Sequence, residues 1–145
     1  MPVSYYIDAG FDKKRSKAVV AEVVKKLNQS GLSFDAIAVR GISGLIIGPI
    51  VAHLMDKYLI VVRKTKENSH AVNLVECPNI RAGRYIIIDD CIASGNTVNT
   101  IVDEVKVVNP KLEPVGIFLW NTFASSTIVS SKVKLKVIGR VKFNL

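Results

Sequence analysis

Tyr85-Ile86-Ile87-Ile88-Asp89-Asp90-Cys91-Ile92-Ala93-Ser94-Gly95-Asn96-Thr97 decides how this chain reads. Ile86, Ile87 and Ile88 are consecutive and β-branched, the pattern of a strand buried on both faces of a parallel sheet. Asp89 and Asp90 then fall at the carboxyl end of that strand, where open α/β sheets bind ligands. Ala93-Ser94-Gly95-Asn96-Thr97 supplies backbone N–H groups, two hydroxyls and a glycine able to take positive φ. The loop feeds a predicted helix, whose N-terminus is an anion site. Carboxylates for sugar hydroxyls beside a nest for a phosphate describe a cradle for a phosphorylated ribose. The plainer reading is a strand–turn–helix whose acids are only solvated.

Read outward from this segment, strands and helices alternate. Ser16–Asn28 carries Val19, Val20, Val23, Val24 and Leu27 at helical spacing, and Ser30-Gly31 stops it. The start of that helix is basic (Lys13, Lys14, Arg15, Lys17), against the helix dipole, and reads as a solvated terminus. Phe34–Val39 is a predicted strand, Arg40–Gly44 a tight turn, Leu45–Lys57 a second helix and Tyr58–Val62 a second strand. Arg63–His70 reads as a polar loop and Val72–Val75 as a short hairpin strand. Tyr85–Asp89 is the central strand, and Thr97–Val108 a helix ended by Asn109-Pro110. Pro114–Trp120 and Val133–Arg140 are the last strands. The pattern predicts one α/β domain over residues 1–145, a Rossmann-like parallel sheet flanked by helices.

Composition narrows the class. A chain of 145 residues with 49% hydrophobic residues can bury a single core. Met1–Tyr6 lacks the basic and apolar regions of a signal peptide. The apolar stretch Ile42–Met55 is interrupted by Ser43, Gly44, Gly48, Pro49 and His53 and is too short to span a bilayer, so no membrane role is expected. Cys77 and Cys91 form neither a metal motif nor a disulfide framework, which fits a reducing, cytoplasmic setting. The formal charge of +8 suits a nucleic acid or a polyanionic small molecule. Lys132, Lys134 and Lys136 alternate with Val133, Leu135 and Val137 as in a strand with one solvated face. Lysines there also protect an edge strand, and no aromatics interleave for base stacking, so nucleic acid is not favoured.

The segment Asp89-Asp90-Cys91-Ile92-Ala93-Ser94-Gly95-Asn96-Thr97 resembles the motif by which type I phosphoribosyltransferases bind 5-phosphoribosyl pyrophosphate (PRPP). The resemblance covers roughly residues 34–121. It implies a type I phosphoribosyltransferase fold with a reduced base-binding hood, since only Met1–Asp12 and the tail after Trp120 are left to build one. By position, Arg40-Gly41-Ile42-Ser43-Gly44 resembles the family's pyrophosphate loop. With Gly48-Pro49-Ile50-Val51-Ala52 it looks most like the adenine enzymes. Arg63-Lys64 is similar to the cationic pair after the matching strand in adenine and orotate enzymes. Lys66 and His70 resemble the orotate enzymes' mobile loop, with imperfect spacing; both also read as solvated loop residues. His53, on an apolar helix, reads as a core or interface histidine.

The resemblance implies a nucleobase phosphoribosyltransferase, purine first and orotate next, releasing pyrophosphate in nucleotide salvage. A non-enzymatic PRPP sensor that binds nucleic acid is the alternative of another class. Asp89 and Asp90 would hold ribose hydroxyls and, indirectly, Mg²⁺; Lys64, Lys66 and His70 would join them in catalysis. Ala93, Ser94, Gly95, Asn96 and Thr97 would hold the 5-phosphate, and Arg40, Gly41, Ile42, Ser43 and Arg63 the pyrophosphate. Asn121 and Phe123 are candidate base contacts. A homodimer is common in the family and is expected by analogy.

Overall fold

A computed structural model describes residues 7–65, 73–92, 94–122 and 135–142. A 3₁₀ turn, Asp8–Gly10, leads into α1 (Lys13–Gln29). β1 (Ala36–Arg40), α2 (Gly41–Leu54), β2 (Tyr58–Val62) and β3 (Val75–Glu76) follow. β4 (Gly83–Asp89), α3 (Asn96–Val108), β5 (Leu112–Thr122) and β6 (Val137–Lys142) complete the order. The sheet runs β3-β2-β1-β4-β5-β6. All pairs are parallel except β2–β3, so the sheet is mixed. The expected Rossmann-like α/β sheet flanked by helices holds, with β3 as one antiparallel edge strand.

Period-two alternation splits the core into two layers. Ile37, Val39, Ile86, Ile88, Phe118 and Trp120 pack under α1 and α2. Ala36, Ala38, Tyr85, Ile87, Ile117 and Leu119 face the other way, with Val98, Ile101 and Val105 of α3. Both faces of β4 are therefore covered, which is why its sequence is a continuous apolar run instead of an alternating one.

Three expectations change. α1 begins at Lys13 because Asp12 caps it, its carboxylate accepting the N–H groups of Lys14 (3.1 Å) and Arg15 (2.7 Å). Arg15 also pairs with Asp8 at 2.7 Å, so the basic first turn is partly neutralised. Arg40–Gly44 is not a separate turn: the chain passes from β1 straight into α2 at Gly41, and Leu45 lies a full turn inside the helix. Gly44, which suggested a turn, and Gly48 one turn later serve packing. A Cβ on Gly48 would lie 2.3 Å from Val39 Cγ1, and one on Gly44 would lie 2.9 Å from Val39 Cβ. Their absence lets α2 lie close on β1. Finally, His53 is exposed on the outer face of α2, beside the exposed Leu54 and Ile50, and is not in the core.

Candidate active site

β1 and β4 are neighbours, but the chain leaves them in opposite directions across the sheet. Their carboxyl ends diverge at such a switch point and open a crevice. A pocket of about 200 Å³ occupies it, lined by Ser43 from α2, by residues 89–92 and by residues 94–98, among them Asp90, Ser94 and Thr97.

At the base sit two acids. Asp89 and Asp90 are buried, 5% and 7% exposed. Asp89 Oδ1 accepts the Asp90 N–H at 2.9 Å and the Ser43 hydroxyl at 3.1 Å. Burial raises the pKa of Asp89 from 3.8 to about 7, and the adjacent Asp90 carboxyl adds to the rise; the Asp90 N–H and Ser43 bonds oppose it. The free site therefore holds a carboxylate that would ionise more readily beside a cation or a hydroxyl donor.

The start of α3 forms one wall of the pocket. Gly95 caps α3 with φ 85°, a left-handed conformation that favours glycine. Ser94 Oγ accepts the Asn96 N–H at 3.2 Å. Helix geometry gives the N–H groups of Thr97 and Val98 no acceptor four residues back, and both residues line the pocket.

Opposite lies the first turn of α2. Gly41 opens it with φ 73°. A Cβ there would meet Lys64 Cε at 3.0 Å and Nζ at 3.5 Å, so the lysine side chain lies directly over this helix start. Trp120 Nε1 donates to the Ser43 carbonyl at 2.9 Å. Arg40 ends β1, and its Nε is buried without a hydrogen-bond partner.

The structure thus brings together Ser43, Asp89, Asp90, Ser94, Gly95, Asn96 and Thr97, with Lys64 over Gly41 at one side. Ile42 turns its side chain to solvent, 67% exposed, so only its backbone is available to the site. Arg63 points elsewhere. Its guanidinium holds Glu76 at 2.6 and 2.8 Å and the Asn73 carbonyl at 3.2 Å, across the β2–β3 edge. Asn121 is buried, and its N–H donates to the Asp90 carbonyl at 3.0 Å; it lies beside the acidic pair but does not line the pocket. Lys66, His70, Ala93 and Phe123 fall outside the described residues. Sequence reasoning did not single out Cys91, Ile92 or Val98 as pocket walls, nor Trp120 as a support of the first turn of α2. Cys91 and Ile92 stand inside the motif and could have been read from it; the Trp120 contact spans 77 positions and had no local signal.

Comparison with known proteins places this geometry. The family model for the phosphoribosyl transferase domain matches residues 8–141. A transcriptional regulator, GfcR of Thermoplasma acidophilum, is 29% identical over 90 residues, covering 61% of this chain and 46% of that protein. The chain thus spans just under half the length of that relative. A hypoxanthine/guanine phosphoribosyltransferase of Methanopyrus kandleri is 22% identical over 138 residues, 87% of this chain and 73% of the relative. Among solved structures, an adenine phosphoribosyltransferase from Thermoanaerobacter pseudethanolicus superposes with a TM-score of 0.72 at 19% identity, covering 91% of this chain and 82% of that one. An orotate phosphoribosyltransferase from Francisella tularensis gives 0.66 at 11% identity, over 89% and 68%.

Proposed function

Because the chain belongs to the phosphoribosyl transferase domain family, we propose that it transfers the 5-phosphoribosyl group of PRPP to a nucleobase and releases pyrophosphate. The observation that carries this reading is the buried Asp89–Asp90 pair set between two helix N-termini. A ribose bearing a phosphate at each end would match it. Ser94–Thr97 would receive the 5-phosphate, and the acids would accept the ribose hydroxyls. The Gly41–Ser43 turn and Lys64 would receive the pyrophosphate.

Displacement at the anomeric carbon passes through an oxocarbenium-like transition state and needs no covalent nucleophile. The residues have two tasks: holding the reactants in line and keeping positive potential on the departing pyrophosphate. Lys64 and the first turn of α2 serve the second task, and Asp89 and Asp90 face the sugar where positive charge develops.

Mg²⁺ fits the donor set. Two adjacent buried carboxylates, one with a raised pKa, would be relieved by a cation. No cluster of three or more ligating side chains exists among the described residues, which suits an ion held mostly by substrate oxygens and water. When bound, it would neutralise pyrophosphate charge.

A purine is the proposed acceptor. The Methanopyrus relative is a hypoxanthine/guanine enzyme aligned over most of this chain, and the Thermoanaerobacter structure is an adenine enzyme. Orotate is the runner-up. No helix among the described residues is long and apolar enough to cross a membrane. Neither Cys77 nor Cys91 is in a disulfide, which suits a reducing, cytoplasmic setting. The exposed apolar face of α2 (Ile42, Leu45, Ile50, Leu54) suits a homodimer.

The test is incubation with PRPP, Mg²⁺ and adenine, guanine, hypoxanthine, xanthine, uracil or orotate, with products read by mass. One nucleotide product is expected, from a purine. A second reading, a PRPP-responsive regulator that binds nucleic acid, is favoured by the GfcR relative and the +8 charge. It predicts PRPP binding with no product from any base, together with salt-dependent nucleic-acid affinity.

A further inference from the structure

We propose that Trp120 is a positioning residue for the pyrophosphate end of the site, acting through the backbone of Ser43; the inference rests on the phosphoribosyl-transfer reading above. Trp120 is fully buried in β5, on the face of the sheet that α1 and α2 cover. Its Nε1 donates to the Ser43 carbonyl at 2.9 Å. The Ser43 hydroxyl donates to Asp89 Oδ1 at 3.1 Å, and the same oxygen accepts the Asp90 N–H at 2.9 Å. Ser43, held by its carbonyl on one side and its hydroxyl on the other, therefore links the sheet core through the first turn of α2 to the acidic pair.

The turn needs such an anchor. Arg40 at its N-cap makes no side-chain capping bond, and Gly41 enters it at φ 73°. Neither residue fixes the turn locally, so its N–H groups depend on a tertiary hold for their aim. The indole is well suited to supply one. Its N–H is donor-only and points along the ring plane, and the ring is itself wedged: a Cβ on Gly10 would sit 3.2 Å from Trp120 Cη2. A carbonyl in a first helical turn is already due to accept the N–H four residues on. The indole bond is therefore additional to what the helix requires, and its effect is to hold the turn where Ser43 reaches Asp89.

Trp120→Phe removes the N–H while keeping most of the aromatic volume, and Ser43→Ala removes the hydroxyl while keeping the carbonyl. Each variant, the double variant and the wild type are titrated by calorimetry with inorganic pyrophosphate, PRPP and ribose 5-phosphate, without a base. Trp120→Phe is expected to weaken pyrophosphate and PRPP about tenfold, the effect of one lost hydrogen bond, and to leave ribose 5-phosphate unchanged. In turnover, KM for PRPP should rise more than kcat falls. The double variant should lose less than the sum of the single losses, because both changes cut the same link. Wild-type pyrophosphate affinity in Trp120→Phe, equal loss for ribose 5-phosphate, or additive losses would each overturn the proposal.

Trp120 is the chain's one tryptophan, so a measurement on the unaltered protein covers a variant that fails to fold. Pyrophosphate binding should change the indole emission saturably, with the calorimetric midpoint. Binding with no change in emission overturns the proposal. A wild type that binds neither PRPP nor pyrophosphate overturns the phosphoribosyl-transfer reading itself, and that outcome is distinct because it involves no variant.

Discussion

Asp89→Asn should make the free protein more stable and inactive at once. In the folded chain the Asp89 pKa is raised from 3.8 to about 7, first by burial and then by the Asp90 carboxyl. Asp89 keeps its proton to higher pH in the native state than in the unfolded one. Between about pH 4 and pH 7 the native state therefore binds more protons, and stability falls as pH rises through that window. Below it the carboxyl is neutral in both states, and the contribution is fully present. Above it the whole penalty of an ionised buried carboxylate is felt. The shift corresponds to roughly 4 kcal/mol at most, at about 1.4 kcal/mol per pH unit. Asparagine keeps an Oδ1 that can accept from Ser43 and the Asp90 N–H, so the substitution removes charge without orphaning those donors. A gain of about 2–4 kcal/mol at pH 8 is expected, worth about 7–13 °C in Tm for a chain of this size.

The assay is thermal unfolding of both proteins by circular dichroism, from pH 4 to pH 9, without ligand. The Tm difference should be near zero at pH 4 and should open towards pH 8. A variant that melts at or below the wild type at pH 8, or a difference that does not change with pH, would refute the reasoning. The same variant should lose turnover. Retained turnover would separate the acid from the chemistry.

Four further outcomes follow from the packing, the cationic side chains and the loop conformation. Gly48→Val should destabilise the chain by about 2–3 kcal/mol in urea unfolding, because a Cβ would lie 2.3 Å from Val39 Cγ1 and α2 would have to lift from β1. Lys64→Ala should weaken inorganic pyrophosphate binding about tenfold, read by calorimetry, since the ammonium lies over the α2 start. Arg63→Ala should leave pyrophosphate affinity within about twofold and instead cost about 1 kcal/mol of stability, because its guanidinium is held by Glu76 and the Asn73 carbonyl. Gly95→Ala should raise KM for PRPP and cost about 1 kcal/mol, because φ 85° strains any side chain there; an unchanged KM would remove this loop from phosphate binding.

What could be read in the sequence was what the backbone decides locally. Ile86–Ile88 announced a strand covered on both faces because burial on two sides leaves no polar positions to interrupt it. The acids and Ser94–Thr97 follow it directly, so their shared pocket is a consequence of short range. Elsewhere tertiary contact overrode local preference. Gly41 and Gly44 look like turn residues, yet one starts a helix and the other lets it sit on Val39. Arg63 and Lys64 are neighbours of like charge and read as one cationic pair. Alternation in an extended segment sends them apart, one to Glu76 on β3 and one to Gly41 on α2. A two-residue β3 carries too little pattern to predict that division.

The topology also accounts for the kind of molecule the crevice suits. α2 leaves the end of β1 and α3 follows the end of β4, and those strands are adjacent. Both helices therefore start at the same crevice and present their positive ends to it from opposite sides. A single anion would need only one of them. Two such ends with Lys64 on one flank favour a ligand anionic at both ends. The acids between them exclude a continuous anion and require hydroxyls or a cation at the centre. On the proposed reading a phosphorylated sugar carrying pyrophosphate would meet all three regions, whereas a nucleoside monophosphate would leave one helix start without its anion. Transferase and regulator readings share this requirement. They separate only in whether a base then accepts the sugar.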